Sequence, residues 1–383
     1  MAKYPLDNVE IQGFRGLKVL RLEDLGLINI LVGENNCGKT SVLEALSIVC
    51  NAEDPNEWIR MAGRRDFGWL DETRLITIRF AFFKSQPDFL SEGIETLTCR
   101  MKCEGKYPIR SLRVELKDLF RIYDKKNPGT FYDEPKRLDP FSPSNDILKG
   151  IEIKHYIESV NSTTNESESN LKHSTVPTII WDRGFIDTIS NHVYSSSKSA
   201  SITPVSHHLH HVQVYFKSMT AFDESVLQTK DLLQIFDPDV IDIQLASFLT
   251  NRATLYINHK ELGIAPLTVF GDGMRRAALI AGALIHLHGG GVLLIDEIEA
   301  GIHVKALKKV FAWLVNAARE LNVQVFVTTH SLEALDAIVA TSSDHLEDTV
   351  AYHLSPSANE TRVKRYSGEL LNRIRGERGL DVR

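Results

Sequence analysis

The amino-acid sequence predicts an α/β fold with a mixed sheet whose core is split by a long α+β insertion. A phosphate-binding loop lies near the N-terminus, between an apolar run and a helical pattern. Strand and helix patterns alternate again near the C-terminus, which is typical of a sheet with helices packed on it. Between them the pattern changes to mixed helical and extended pieces. We therefore predict a first lobe at 1–84, an inserted region at 85–251 and a second lobe at 252–383.

The first lobe opens with strands and continues into a helix. Residues 9–22 are predicted to form two short strands around a glycine-bounded turn, and the apolar run at 27–32 a third strand. The pattern at 41–49 is that of a helix. A further strand is predicted at 74–83, and Gln86 follows it.

The octet GENNCGKT at residues 33–40 has the pattern G-x-x-x-x-G-K-T of a phosphate-binding loop. Its glycines let backbone N–H groups surround phosphates, and the following helix adds its partial positive charge. We expect Lys39 to reach the β- and γ-phosphates of ATP, and the Thr40 hydroxyl to ligate Mg²⁺. The other residues of the predicted nucleotide site are Asn35, Asn36, Gly38 and Ser41.

Two carboxylates, Asp296 and Glu297, follow the apolar run at 292–295. A buried strand places them at the carboxyl edge of a sheet, where α/β proteins bind ligands. Asp296 is expected to hold Mg²⁺, largely through water, and Glu297 to polarise the water that attacks the γ-phosphate. The alternative is a strand that ends in a solvated acidic turn. The phosphate loop upstream favours the catalytic interpretation.

A second apolar strand at 323–327 leads to His330, which lies 33 residues after Glu297 with a predicted helix at 304–320 between them. A histidine at a strand end is more often a capping or core residue. This spacing instead indicates a histidine that senses the γ-phosphate.

The segment 271–276, GDGMRR, opens a helical pattern and follows a strand predicted at 254–263 that runs into a turn. Its two glycines expose backbone N–H groups at a helix N-terminus, which is a second anion site. Taken alone, the segment is more typical of a simple glycine turn before a helix.

In this order, these motifs resemble the ABC-type ATPase heads of the SMC, Rad50 and RecF class. They resemble more closely the OLD-like group often called AAA15 ATPases, found in bacterial phage-defence systems. The matching segments are IQGFRGL at 11–17, the phosphate loop, 271–276 as signature motif, 294–303 as Walker B and D-loop, and 328–335 as H-loop. The sequence departs from the group at Ile298, where the group usually has proline. It also lacks a recognisable Q-loop, since Gln86 follows the predicted strand but has no diagnostic neighbours.

The resemblance implies an ABC-type P-loop ATPase head and a mechanism. Two protomers, or a higher homo-oligomer, enclose ATP so that Gly271, Gly273 and Arg275 of one chain contact the γ-phosphate held by its partner. Hydrolysis then lets the two protomers separate, so the ATPase acts as a slow switch. Arg15 is expected near the nucleotide. Many OLD-like proteins carry a C-terminal Toprim nuclease, whereas the segment after His330 is predicted to be only a strand and a basic helix. Nuclease activity of this chain itself is therefore not expected, and the resemblance implies control of a separate effector, a nuclease or toxin. The alternative is a RecF- or SMC-like repair ATPase that binds DNA when ATP is bound.

Composition and the N-terminal residues indicate where in the cell the protein is expected. The 383 residues carry a net charge of −6, are 43% hydrophobic and contain four cysteines, too few for a disulfide scaffold. No apolar stretch reaches the length of a membrane span, and the first residues lack a signal-peptide core, so a cytoplasmic protein is expected.

Three further sequence features bear on metal, thiol and nucleic-acid chemistry. The histidines at 207–211 have no acidic cluster beside them in sequence, so structural zinc is not favoured. Cys99 and Cys103 are expected to be free thiols. Two segments are basic, namely 100–137, with eleven Lys or Arg against six Asp or Glu, and 362–383, with seven against three. Singly, each is more typical of a solvated amphipathic face, but together they leave contact with nucleic acid open.

Overall fold

The computed structural model describes two compact units. We call them the core unit (Met1–Asn8, Leu22–Leu43 and Ser197–Arg383) and the antiparallel unit (Val9–Arg21 and Glu44–Ser196). The described residues are 3–54, 56–65, 72–82, 96–123, 131–132, 147–160, 171–181, 186–188, 199–208, 223–246, 254–341, 343–358, 360–377 and 379–382.

The strands, in chain order, are β1 (Asn8–Phe14), β2 (Leu17–Leu22), β3 (Ile28–Val32), β4 (Leu97–Glu104), β5 (Ile109–Tyr123), β6 (Phe131–Tyr132), β7 (Ile147–Val160), β8 (Leu171–Trp181), β9 (Ile186–Thr188), β10 (Ser199–Ile202), β11 (Val240–Ala246), β12 (Thr254–His259), β13 (Gly263–Pro266), β14 (Val292–Ile295), β15 (Gln324–Thr328), β16 (Thr349–Pro356) and β17 (Thr361–Ser367). Their pairing gives one sheet of eight strands, one of six and one of three among the described residues.

The helices are α1 (Lys39–Cys50), α2 (Asn56–Arg65), α3 (Glu72–Arg79), α4 (Asp223–Gln234), α5 (Asp272–His286), α6 (Val304–Glu320), α7 (Leu332–Thr341) and α8 (Gly368–Asn372). Short turns of 3-10 helix lie at Ser206–His208, Leu267–Val269 and Ser343–Asp348. Within these described segments, no helix combines the length and the apolar character that crossing a bilayer requires.

The six-stranded sheet of the core unit has the order β10-β14-β15-β3-β16-β17. Neighbours from β10 to β16 are parallel, and β17 is antiparallel to β16. Strands β3, β14 and β15 are buried along their whole lengths, as expected for parallel strands covered on both faces. This confirms the mixed sheet and the strands predicted before the phosphate loop and before Asp296.

Helix α6 shows how the sequence directs packing onto this sheet. Its buried Leu307, Val310, Phe311 and Leu314 recur at spacings of three and four, so they share one face of the helix. They belong to the same apolar core as β3, β14, β15 and helix α5. The helix predicted at 304–320 is confirmed at those bounds.

The antiparallel unit is built on a sheet with the strand order β2-β1-β4-β5-β7-β8-β9, in which β6 also pairs with β5. Residues of β4 alternate between buried and exposed, and Cys99 and Cys103 are on the buried face. Both thiols are free, as predicted, and burial raises the pKa of Cys103 to about 12. Burial also raises the pKa of Cys99, so both thiols stay protonated near neutral pH.

Three sequence predictions about the fold differ from the structure. Residues 74–83 were predicted as a strand, but Glu72–Arg79 form helix α3. A short apolar run fits either pattern, and here Leu75 and Ile78 are buried at helical spacing. The segment after His330 contains α7, β16, β17 and α8 rather than one strand and a basic helix.

The compact units also do not follow the predicted boundaries at 84/85 and 251/252. Strands β1 and β2 pair into the sheet that contains the strands of the inserted region, whereas β10 pairs with β14 of the core unit. Long-range pairing of this kind leaves no local mark in the sequence. Gln86, the Q-loop candidate, lies outside the described residues.

A buried aromatic cluster in the antiparallel unit contains Trp58, Phe14, Phe82 and His155. The rings of Trp58 and Phe82 are stacked with centroids 5.3 Å apart. Trp58 Nε1 donates a hydrogen bond of 2.6 Å to His155 Nε2, so this nitrogen must be unprotonated in the folded protein. Burial lowers the pKa of His155 to about 4.

This cluster predicts a loss of stability in acid. Between pH 6.5 and 4 an unfolded chain protonates His155 while the folded chain does not, so the free energy of unfolding falls as the pH falls. The full effect is about 3 kcal/mol, reached near pH 4. Urea unfolding at several pH values should show a smaller loss for His155→Gln, whose amide oxygen accepts from Trp58 without titrating. Equal losses in both proteins would contradict this.

Candidate nucleotide site

The candidate site lies where three neighbouring parallel strands end. In the registers of β14, β15 and β3, Ile295 is opposite Val327, and Thr328 is opposite Leu31. The phosphate loop, the two carboxylates and the segment before His330 therefore leave the sheet at one edge. This is the edge at which open α/β sheets bind ligands.

The phosphate loop turns through residues with positive φ, namely Gly33 (140°), Asn36 (62°) and Gly38 (102°). A Cβ at Gly33 would lie 2.4 Å from the carbonyl oxygen of Leu354, so only glycine fits there. Asn35 and Asn36 are exposed in the loop, and Ser41 is buried in the first turn of α1. The loop thus has the backbone conformation that a phosphate cradle requires.

Lys39 is buried, and its ammonium group stays inside the loop. Its Nζ donates hydrogen bonds to the carbonyl oxygens of Gly33 (2.7 Å) and Glu34 (2.9 Å). These bonds hold a positive charge where the loop's backbone turns. A bound phosphate group would compete with the carbonyl oxygens for it.

Thr40 and Asp296, the two predicted Mg²⁺ ligands, are in direct contact. Thr40 Oγ1 donates to Asp296 Oδ2 over 3.0 Å, and Thr328 Oγ1 donates to Asp296 Oδ1 over 2.6 Å. A hydroxyl and a carboxylate are hard oxygen donors, the type that Mg²⁺ prefers. These side chains therefore fit the proposed ion.

Glu297 follows Asp296 in an unusual backbone conformation, with a φ of 47°. Its N–H donates to Thr328 Oγ1 over 2.8 Å, so one hydroxyl serves both carboxylate residues. The positive φ turns the chain sharply at the end of β14. Non-glycine residues adopt this conformation only where surrounding bonds hold it.

His330 lies at the same edge with an exposed side chain, and its backbone is held by Glu299. Glu299 Oε1 accepts hydrogen bonds from the N–H groups of His330 (3.0 Å) and Ser331 (3.2 Å). Glu299 thus ties the segment after β14 to the segment after β15. Glu299 lies in the segment 294–303 that resembles Walker B and the D-loop, but no function was predicted for it.

The signature segment, residues 271–276, begins helix α5. Gly271 is the N-cap, with no atom within 4 Å of a Cβ built on it, whereas a Cβ on Gly273 would lie 2.9 Å from Phe236. Arg275 donates to the His207 carbonyl oxygen over 2.7 Å and forms an ion pair with Asp272 (3.3 Å). Arg275, a predicted nucleotide ligand, is therefore held by groups of its own chain.

His207 and His208 come close to Asp272, with imidazole-to-carboxylate distances of 3.9 and 3.8 Å. No acidic cluster lies beside these histidines in the sequence, and Asp272 becomes their neighbour only in the folded chain. Arg275 Nη1 lies 3.3 Å from both Asp272 Oδ1 and His208 Nδ1. A guanidinium already neutralises this carboxylate, which does not favour a metal ion here.

Arg276 is the residue that the sequence analysis missed. Its side chain is fully buried and donates to the carbonyl oxygens of Thr203 (2.8 Å), Asp296 (2.9 Å) and Glu297 (2.7 Å). Burial lowers the pKa of its guanidinium to about 10, and nearby carboxylates oppose that shift. An arginine among the apolar residues of a core helix was the available signal.

Arg15, the secondary nucleotide candidate, belongs to the antiparallel unit. Its Nε lies 2.5 Å from Glu44 Oε2, and both side chains are largely buried. Its Nη2 lies 2.9 Å from the sulfur of Met61. These contacts give Arg15 a structural partner in its own unit, and its contact with nucleotide stays a prediction.

A family model described as "AAA domain, putative AbiEii toxin, Type IV TA system" matches residues 28–336. The matched region contains the phosphate loop, the signature segment, both carboxylates and His330. The chain belongs to this family. It is an ATPase of the AAA type.

Two curated relatives match this AAA-domain ATPase, one over nearly its whole length and one over half of it. A Helicobacter pylori protein named ATP/GTP phosphatase is 24% identical over 388 residues, covering 96% of each chain. An uncharacterized Methanocaldococcus jannaschii protein, MJECL10, is 26% identical over 200 residues, which are 50% of this chain and 80% of that protein.

A solved structure of an SMC head bound to the C-winged helix domain of ScpA is similar to this AAA-domain ATPase. The TM-score is 0.50 at 12% identity, and the match covers 96% of this chain and 99% of that one. The likeness confirms the predicted fold class, an α/β ABC-type P-loop ATPase head with mixed sheets.

Thr328 offers a direct test of the site's hydrogen bonds. Thr328→Val keeps the side-chain shape but leaves the Glu297 N–H and Asp296 Oδ1 without this partner. We expect it to lower the free energy of unfolding in urea by about 1–3 kcal/mol and to reduce the ATPase rate. Thr328→Ser keeps the hydroxyl and should remain close to wild type in both. If the valine and serine variants behaved alike, the hydroxyl would not have this role.

Proposed function

We propose that the protein is a slow ATP-driven switch in which two copies close around two ATP molecules. One observation carries this proposal: the phosphate loop, Asp296, Glu297 and His330 share one sheet edge, whereas Gly271 of the signature segment is exposed, with open space around it. An exposed helix N-terminus that begins with glycine suits a phosphate presented by another copy.

Within each site, different residues of the chain have different catalytic and binding functions. Lys39 and the loop N–H groups bind the β- and γ-phosphates, and Thr40 and Asp296 hold Mg²⁺, which neutralises phosphate charge when bound. Glu297 accepts a proton from the attacking water. The oxygen of that water bonds to the γ-phosphorus as the bond from the γ-phosphorus to ADP breaks. His330 contacts the γ-phosphate and reports its presence.

Arg275 and Gly273 complete the signature side of the proposed interface. Release of Arg275 from Asp272 and His207 would free its guanidinium for the partner's γ-phosphate. After hydrolysis the phosphate no longer bridges the two copies, so they separate. Arg15 is a further proposed nucleotide contact.

We propose that the switch controls a separate effector, a nuclease or toxin, in a bacterial phage-defence system, as in the OLD-like or AAA15 group. The family description, which mentions the AbiEii toxin, supports a toxin–antitoxin setting. The SMC head of similar fold is bound to a domain of another protein, which supports a protein partner for this fold.

The second candidate is a RecF- or SMC-like ATPase that binds DNA when ATP is bound. The outward side chains of β4 favour it, because Arg100 and Lys102 are exposed in alternation with buried residues. Two neighbouring cations on one face of a strand suit a phosphate backbone.

The proposed closure of two copies around ATP predicts how substitutions change the dimer. Glu297→Gln with ATP and Mg²⁺ should elute as a persistent dimer, because nucleotide binds but water is not activated. Adding Gly271→Ala should abolish the dimer while the chain still binds mant-ATP, since the new methyl group meets nothing in its own chain. Size exclusion with light scattering measures both.

Two controls accompany this experiment. Lys39→Ala should bind no mant-ATP, so it should stay monomeric. Gly16→Ala, another glycine with open space around its Cβ, should leave the dimer intact. A double variant with Gly271→Ala that still dimerised would overturn the signature contact.

The partner is tested by purifying Glu297→Gln with ATP from cells that carry its native gene neighbourhood. We expect a stoichiometric protein, identified from the mass of the complex. A dimer that carries nucleic acid and no protein would instead support the DNA-binding candidate. The Lys39→Ala chain serves as the control that should capture neither.

A further inference from the structure

Arg276 connects the signature segment to the catalytic carboxylates within one chain. It is the last residue of the signature segment, three residues after Gly273, and its side chain is fully buried. One guanidinium nitrogen reaches the carbonyl oxygens of both Asp296 and Glu297, and another reaches Thr203 at the end of β10. A rigid fork of donors thus spans two segments that are far apart in sequence.

The Glu297 backbone depends on such support. Its φ of 47° lies in the left-handed region, which a residue with a Cβ occupies only where neighbours hold it. Thr328 holds its N–H from strand β15, and Arg276 holds its carbonyl oxygen from helix α5. The position of the Glu297 side chain is therefore determined partly by the helix that carries the signature glycines.

We propose that Arg276 is a positioning residue that couples the signature segment to Glu297 of the same chain. This inference rests on the proposed function, because it requires the signature segment to contact the partner's ATP. ATP bound to one copy then displaces helix α5 of the partner. Arg276 on that helix in turn displaces Glu297 of the same partner chain. The two ATP sites of a dimer are thereby linked, and each becomes competent only when the other is filled.

Arg276→Lys isolates this function. Lysine keeps the positive charge beside Asp296, Glu297 and Glu299, but a single ammonium on a flexible stem cannot replace a planar fork that bridges Thr203 and both carboxylate residues. The electrostatic environment is retained while the connection is weakened. Arg319→Lys is the matched control, because Arg319 pairs with Asp348, and neither residue is part of the proposed site.

The expected result is a separation of binding from hydrolysis. Arg276→Lys should bind mant-ATP and form the ATP dimer as wild type does, yet hydrolyse ATP about tenfold more slowly in single turnovers, a barrier rise of about 1.4 kcal/mol. The ATP-bound dimer should therefore last longer, and Arg319→Lys should match wild type. Wild-type hydrolysis in Arg276→Lys would overturn the proposal. Parallel losses of thermal stability, binding and hydrolysis would also do so, because they indicate a structural role alone.

A second measurement leaves Arg276 in place. Hydrogen exchange at the Asp296 and Glu297 amides should slow more when ATP is added to wild type than when it is added to Gly271→Ala, which fills its own phosphate loop but lacks the contact with the partner's ATP. Equal protection in both proteins would contradict the coupling. If Glu297→Gln hydrolysed ATP normally, the proposed catalytic function would fail. If Glu297→Gln is inactive and Arg276→Lys is fully active, only the coupling fails.

Discussion

The parallel pairing of β3, β14 and β15 is the constraint on which the site depends. Each strand is buried along its length, so its register is set by core packing on both faces. Because the three strands run in the same direction, the phosphate loop, Asp296 and the segment before His330 emerge at one edge. A shift of one residue in any strand would move these groups apart and exchange the side chains that pack on the two faces of the sheet.

Hydrogen bonds at that edge then fix individual atoms. The Asp296 carboxylate accepts from Thr40 and Thr328, and Glu299 fixes the backbone at His330. Arg276 binds the main-chain carbonyls beside the two carboxylates. Asp296, Glu297 and Arg276 therefore each have partners from another strand or helix, which favours keeping their polar groups in the interior. The same bonds make the site sensitive to movement of helix α5.

The sequence predicted correctly those structural features that depend on residues close together in the chain. The spacing of G-x-x-x-x-G-K-T required the tight turn at Gly33 and Gly38, and the apolar stripe of 304–320 required a helix with one buried face. The run at 74–83 was misassigned because its apolar residues fit both periods, and only burial of Leu75 and Ile78 in the folded unit distinguishes them. The boundaries of the units were not predictable because β1 pairs with strands far along the chain.

The sequence by itself determined that this chain has a phosphate loop, two carboxylates after a buried strand and a histidine after the next. These follow from residue type and spacing, which act over a few neighbours. Only the tertiary structure decided that Thr328 joins Asp296 to Glu297, that Glu299 anchors His330, and that Asp272 lies beside His207. It also decided that Arg276 is buried, since its partners are 20 to 73 residues away and become neighbours only when the sheet and helix α5 pack together.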